Sequence, residues 1–578
     1  MFKKLRKLLP YMRKYRARYA LGLICLVVVD AAQLLLPRYA RDAVDAIGAG
    51  AGSGGVAGIA LLMVATAAGI ALGRFLWRYF IHGSARRIEA EIREDFFASL
   101  MSLSSDFFGA QKTGDLMARA TNDLHAVRMA AGMSMVSLID GLFMSMAIII
   151  VLLASYPRVA LYVILPLPII SVLVMGFGKL IGKLFKEVQE RYSRLSEIAQ
   201  ETMTGIRVVK HFVKEEAFAR TFQKANDEYQ KSNMRLVGIY GFFFPAIGFL
   251  SGLSSVILIA AGGPAVIEGR MSAGELVAVF GYIGMLIWPF LGAGFTVNML
   301  QRGAASMGRV SEVLEAEPSI KDSASARALP GSMAIEIRGL KLRYPGAKDD
   351  ALKGLSLSMR EGEKLGILGR TGSGKSSLLR VLPRLVEAQE GAYFVGGVEA
   401  REIKLAALRG AIAYVPQDGF LFSDTIRANV LFGAAPGAEA RLDAICKAAG
   451  LERDLASFPK GLDTVIGERG HTISGGQKQR VALARALAKD APLLVMDDPL
   501  SAVDVETEAR ILDGIWADRG ARGLILVSHR VSTLSRCERV LVMDEGRVVD
   551  EGDHEELVAR AGLYRDIWIL QQAEGATR

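Results

Sequence analysis

Apolar residues gather along this chain in two rhythms. Before residue 310 they form long runs, at about 19–37, 56–80, 132–155, 157–180, 236–262 and 274–300. Each predicts a helix able to cross a bilayer, which takes roughly 20 residues. The connections between them are unequal. Those near 38–55, 155–158 and 262–273 are short and carry only Arg38, Arg41, Arg158 and Arg270, whereas 179–235 carries twelve Lys and Arg residues. The long connections keep a helical rhythm, as in EVQERYSRLSEIAQETMTGIRVVKHFVKEEAF, so the spans are predicted to continue as helices beyond the membrane. From residue 333 the rhythm changes. MAIEIRGLKLRYPG alternates with period two and REGEKLGILG is a short β-rich run, as strands of a soluble domain require. The intervening stretch, ending EAEPSIKDSASARALPGS, loses the apolar pattern and reads as a linker. The predicted domains are a membrane domain over 1–310, a linker over 311–332 and a soluble domain over 333–578.

Charge sharpens this division. Residues 333–578 hold 34 Lys and Arg against 35 Asp and Glu, leaving 36 against 25 before them, so the net charge of +10 belongs to the apolar part. Basic residues flanking membrane spans stay on the cytoplasmic side, which makes nucleic-acid binding an unneeded reading. The N-terminus (Lys3, Lys4, Arg6, Lys7, Arg13, Lys14, Arg16, Arg18), the long second and fourth connections and the soluble domain are predicted to be cytoplasmic. The first twenty residues lack the apolar core and cleavage site of a signal peptide and read as an amphipathic segment on the inner membrane surface. Three scattered cysteines, Cys25, Cys446 and Cys537, offer neither a disulfide framework nor a metal cluster. Polar residues interrupt the spans: Asp30 and Gln33, Arg74 and Arg78, Asp140, and Asn298. At membrane depth such groups point to a cavity or to pairing, although the two arginines can snorkel to an interface. Asp30 and Asp140, with Met133, Met135, Met144 and Met146 in the third span, suggest a lining for cationic amphiphiles.

The soluble part carries the chemistry. The run GRTGSGKSSLLRVL follows a strand and opens a helix, the setting of a phosphate-binding loop. Gly369, Arg370, Thr371, Gly372, Ser373, Gly374, Lys375, Ser376 and Ser377 form it. Its glycines let backbone N–H groups approach phosphate oxygens, Lys375 reaches the β- and γ-phosphates, and Ser376 ligates Mg²⁺. Asp497 ends the apolar strand LLVM and holds the same ion. Between them lies TISGGQKQRVALARALA, with Ser474, Gly475, Gly476 and Gln477.

On these residues the whole chain resembles the ATP-binding cassette (ABC) transporters, in the exporter half-transporter arrangement. The resemblance implies an α-helical polytopic membrane domain of six transmembrane helices fused to an α/β P-loop NTPase cassette, with ATP and Mg²⁺ as cofactors. It also assigns roles. Tyr344 in LRYPG stacks on adenine, and Gln417 in YVPQD contacts Mg²⁺ and the attacking water. Glu468 and Arg469 in VIGERG meet the cytoplasmic loops. Ser474, Gly475 and Gly476 contact the γ-phosphate held by the opposite cassette; Asp504 in SAVD is the D-loop aspartate and His529 in VSHR the switch histidine. TGDLMARATND (113–123) and TGIRVVKHF (204–212) resemble coupling helices.

One position departs from the family. Where it has the catalytic Glu, this chain has Asp498. The two carboxylates match in basicity but not in reach. The resemblance is therefore to the degenerate-site subunit of heterodimeric bacterial multidrug-type exporters, of the MdlA type. It implies a partner half-transporter carrying Glu, amphipathic small-molecule cargo, contact with membrane lipids and a place in the bacterial cytoplasmic membrane. A slow homodimer exporting lipid, peptide or drug, and a non-pumping regulator or channel, are the alternatives.

Overall fold

The computed structural model describes residues 2–50, 52–164, 166–467, 473–501, 503–520 and 522–576. The chain divides into two compact units, one of Met1–Ser102 with Lys112–Ala316, the other of Leu103–Gln111 with Glu317–Arg578.

The first unit is helical: α1 (Arg16–Gln33), α2 (Leu35–Gly48), α3 (Ser53–Ser102), then, after the excursion into the other unit, α5 (Met133–Ser155), α6 (Pro166–Thr204), α7 (Glu215–Ile267) and α8 (Ala273–Leu314). The short α4 (Ser105–Ala110) belongs to the second unit. Among the described residues four helical stretches, 16–48, 53–102, 113–155 and 215–267, are long and apolar enough to cross a membrane, and Ala273–Leu286 adds a shorter apolar stretch. The span predicted at 157–180 includes residue 165, outside the described residues.

Helix contacts here depend on small residues. On α3, Ile81, Ile88, Ile92 and Phe96 recur at helical spacing and are fully buried. Gly22 on α1 and Gly73 on α3 leave no room for a Cβ, which would strike Ile81 and Val29 respectively. Polar clamps fix the ends of α8. Ser272 caps it reciprocally with Glu275, each bond 2.9 Å, and the Asp45 carboxylate accepts from Ser272 Oγ at 2.8 Å and the Gly274 N–H at 2.9 Å. Towards the other end, buried Asp123 accepts from Ser306 Oγ at 2.8 Å and Arg309 Nε at 2.7 Å, while Arg119 reaches Glu312 at 3.0 Å. The N-terminal turns are pinned to α3, with Tyr11 donating to Asp95 at 2.7 Å and Lys14 to Glu91 at 2.8 Å.

The segments likened to coupling helices are both helical and both in the first unit: Thr113–Ala118 runs into one wide turn at Arg119–Asp123, and Ile206–His211 is a short helix. The stretch just before the first of them, Leu103–Gln111, packs within the second unit. There Ser105 Oγ donates to Leu385 O, and Ser104 Oγ accepts from the Ile320 N–H at 2.9 Å.

The second unit is built on two sheets. β1 (Ile335–Leu342), β2 (Leu352–Met359), β4 (Tyr393–Val395) and β5 (Val398–Glu399) form an antiparallel sheet in the order β2-β1-β4-β5. The larger sheet holds β3 (Lys364–Gly369), β6 (Ile412–Val415), β7 (Leu493–Asp497), β8 (Gly523–Val527), β9 (Arg539–Asp544) and β10 (Arg547–Gly552), ordered β10-β9-β3-β8-β7-β6. It is parallel except for β10. β7 and β8 are buried on both faces, so they read as unbroken apolar runs. Their period of two feeds two cores. Leu494, Met496, Leu524 and Leu526 face one, while Leu493, Val495, Ile525 and Val527 join the core shared with β1 and β2.

Candidate functional site

The carboxyl ends of three adjacent parallel strands, β3, β8 and β7, open into one cavity of about 230 Å³. Such ends are where open parallel sheets bind ligands. Thr371 to Ser377, Gln417, Asp497, Asp498 and His529 line it.

The loop after β3 is shaped by its glycines. Gly372 and Gly374 have φ of +85° and +96°, and a Cβ on Gly374 would sit 2.7 Å from Ala351 O. A Cβ on Gly369 would strike Met543 O. Only glycine fits these places, and the result is a backbone cradle leading into α9 (Lys375–Val381). Two polar side chains are buried in the cradle. Lys375 is buried, and its Nζ folds back on the carbonyls of Gly369 at 2.7 Å and Arg370 at 2.9 Å. The buried Ser373 Oγ has no hydrogen-bond partner among the described residues. Burial pushes the Lys375 ammonium below its usual value, opposed by Asp497 and Asp498. A polyanion in such a cradle would favour the charged lysine and offer acceptors to both side chains.

Asp497 closes β7 and is buried, with Tyr414 Oη 3.5 Å from its Oδ2. Asp498 follows where the chain turns, at φ +50°, a left-handed conformation that aspartate tolerates better than most residues. Its N–H is held by Val527 O at 3.1 Å. Burial raises the Asp498 carboxyl above the ordinary carboxylate range; His529 opposes that shift and Asp497 adds to it. His529 Nε2 lies 3.9 Å from Asp498 Oδ2, too far for a hydrogen bond.

The other residues singled out in the sequence lie elsewhere. Tyr344 Oη donates to Ser377 Oγ at 3.2 Å, beside the cradle. Ser474 caps α10 (Gly475–Ala488) in a reciprocal box with Gln477, at 3.3 and 2.9 Å, and Gln477 also donates to Asp454 at 3.2 Å. Asp504 caps α11 (Val505–Arg519) by accepting from the Thr507 N–H at 2.9 Å, which holds its carboxyl below the usual range. Neither the Ser474–Gln477 segment nor Asp504 lines the cavity. Glu468 and Arg469 lie outside the described residues.

The structure adds three residues that sequence reasoning missed. Arg530, next to His529, donates to buried Glu508 on α11 and to Val503 O at 3.1 Å, while Glu508 also accepts from Thr533 Oγ1. Gln571 on α12 (Leu563–Ala576) accepts from the Val531 N–H at 2.9 Å and donates to His529 O at 2.7 Å. The backbone just after His529, on either side of Arg530, is thus gripped by α12. Nothing local marks Gln571; Glu508 reads only as an acid in a first helical turn.

Comparison with known proteins agrees with this geometry. The ABC transporter transmembrane region family matches residues 19–290, and the ABC transporter family matches 352–501. The chain is 34% identical, over 99% of its length and 98% of the other's, to "Probable multidrug resistance ABC transporter ATP-binding/permease protein YheI" of Bacillus subtilis (strain 168). It is 33% identical to "Multidrug resistance-like ATP-binding protein MdlA" of Escherichia coli (strain K12), covering 98% and 96%. An "ATP-dependent lipid A-core flippase" of Syntrophus aciditrophicus (strain SB) is 29% identical, covering 98% and 94%. Among solved structures, a bacterial Atm1-family ABC exporter with ATP bound superposes with a TM-score of 0.78 at 26% identity, covering 96% of this chain and 98% of that one. The chain therefore belongs to the ABC transporters: it is an exporter half-transporter whose membrane helices and transport ATPase share one polypeptide.

Proposed function

We propose that this chain is one half of a heterodimeric exporter of amphipathic small molecules, and that its own nucleotide site binds ATP tightly but cleaves it slowly. The observation that carries this reading is Asp498. Its buried carboxylate ends one methylene short of a glutamate and sits 3.9 Å from His529. The cradle around it is otherwise intact, with Lys375, Ser373 and Gln417 in place. The oxygens of Ser376, Gln417 and Asp497 are the hard donors that Mg²⁺ prefers, and would hold it. Held there, the ion would supply neutralisation of phosphate charge. Ser474 and Gly476, standing on a competent helix cap away from this cavity, would complete the partner's site. Tyr344 would stack on the base, and Asp504 and His529 would line the γ-phosphate once two cassettes meet. Membrane helices would then turn from inward- to outward-facing, and hydrolysis at the partner's site would reset them. The relatives' descriptions support drug-like or lipid-like cargo. The basic N-terminus and connections support a cytoplasmic face for both termini of the membrane domain.

Two measurements test the reading. ATP turnover of the purified chain is expected to be slow, and to rise when a partner half-transporter carrying the glutamate is co-purified. Brisk turnover by the chain alone, lost in Asp498→Asn, would mean a working homodimer instead. ATP-dependent uptake of amphiphiles into inverted vesicles is expected; none at all would favour a regulator.

Gln571 gives a second check on the switch histidine. Gln571→Leu removes both bonds to the backbone around His529, so turnover at this site is expected to drop by about tenfold with ATP affinity unchanged. A parallel loss of ATP affinity would make Gln571 a general structural support instead.

A further inference from the structure

Helices α1, α3, α5 and α8 enclose a cavity of about 330 Å³ inside the membrane unit. Asp30, Gln33, Arg74, Trp77, Asp140 and Met144 are among its lining. Asp30 and Asp140, 110 positions apart in the sequence, line the same cavity. Asp30 is fully buried. Its Oδ1 has Gln33 Nε2 at 3.5 Å, the outer limit of a hydrogen bond, and its Oδ2 has no donor among the described residues.

A buried carboxylate without a donor is costly, and a second carboxylate beside it makes matters worse. The two arginines of the cavity give Asp30 Oδ2 no hydrogen bond. Arg74 donates to Gln33 Oε1 at 2.9 Å, and the Arg78 guanidinium lies 5.4 Å from the centre of the Trp77 ring. Both are exposed, whereas Asp30 is enclosed. Among the described residues neither forms an ion pair with Asp30 or Asp140. What remains unmet on this wall is the Asp30 Oδ2 acceptor, which faces a cavity with apolar surface from Leu26, Trp77 and Met144. The missing donor is either a hydrogen carried by the acid pair itself or one brought by a ligand.

We infer that this cavity binds an organic cation through an ammonium that bears at least one N–H, set between Asp30 and Asp140. The cavity is large enough for a small drug-like body, and its aromatic and thioether lining suits one. The need for a donor, beyond charge alone, separates protonated amines from quaternary ammonium ions of the same shape. The inference rests on the exporter reading only in taking this ligand as cargo.

The test uses the full-length protein in nanodiscs at neutral pH. A naphthylmethyl dimethylamine, protonated there, is compared with its trimethylammonium counterpart by tryptophan quenching, Trp77 being in the cavity wall. The protonated amine is expected to bind about tenfold tighter, the worth of one charge-assisted hydrogen bond. Asp30→Asn is expected to abolish the preference. Arg74→Gln keeps both carboxyls, removes a competing cation, and is expected to tighten binding of both amines, so the test does not depend on Asp30→Asn folding. Retained binding of a fluorescent ATP analogue at the cassette reports folding of either variant. Equal binding of the two amines, an unchanged preference in Asp30→Asn, or no effect of Arg74→Gln would each overturn the site. Preference without any ATP-driven uptake would defeat the export reading alone, and uptake without preference would defeat the site alone.

Discussion

Replacing Asp498 with glutamate is expected to raise ATP turnover at this chain's own site by about a hundredfold. The extra methylene extends the carboxylate by roughly 1–1.5 Å, the difference between holding a water by a hydrogen bond and merely facing it. Basicity changes little, so position alone is varied. Lys375, Gln417, Asp497 and His529 already line the cavity and remain as they are. Stability should move the other way. Position 498 is left-handed, at φ +50°, where glutamate is less at ease than aspartate. A gain in turnover with a small loss of cassette stability would therefore be diagnostic. Single-turnover cleavage in Asp498→Glu against the unmodified chain measures the effect. No gain would show that the short carboxylate is not what limits the site.

Glu508→Ala is expected to destabilise the cassette by about 3 kcal/mol. Glu508 is buried and takes hydrogen bonds from Arg530 and from the buried Thr533 hydroxyl. Its removal strands both donors. The loss should fall at the lower end of the range for broken buried pairs, because Arg530 keeps 34% of its side chain exposed and can turn to water. The effect should also reach the site, since Arg530 ties Val503, just before Asp504, to the residue after His529. Glu508→Gln keeps an acceptor and should cost less. Denaturation of the cassette in the full-length protein, followed by the loss of bound nucleotide analogue, reads the difference. A change below about 1 kcal/mol would place Glu508 among the solvated surface acids.

How much of this was legible beforehand depends on distance along the chain. The cradle of residues 369–377 could be read because its geometry is local: each glycine sits where a turn or a close approach demands it. The strand into Asp497 was equally plain, since a doubly buried strand is an unbroken apolar run. The Asp498 departure needed only its neighbour for reference. Arg530 with Glu508, 22 positions apart, and His529 with Gln571, 42 apart, left no trace, because side chains meet there only after the sheet and its covering helices are assembled. In the membrane unit the presence of Asp30 and Asp140 at depth was visible, but their sharing of one cavity was not. Nor did the apolar pattern foretell that Leu103–Gln111 leaves the helical unit to pack with the cassette, since its few residues carry no rhythm of their own.

That last excursion bears on how the molecule can be taken apart. A fragment begun anywhere in the linker would leave nine residues of its own body behind, with the Leu385 carbonyl stripped of its partner, and the Ile320 amide too where that residue is retained. The nucleotide-binding half is not a contiguous length of sequence, and a severed version of it would report on a slightly different object from the one that sits in the whole transporter.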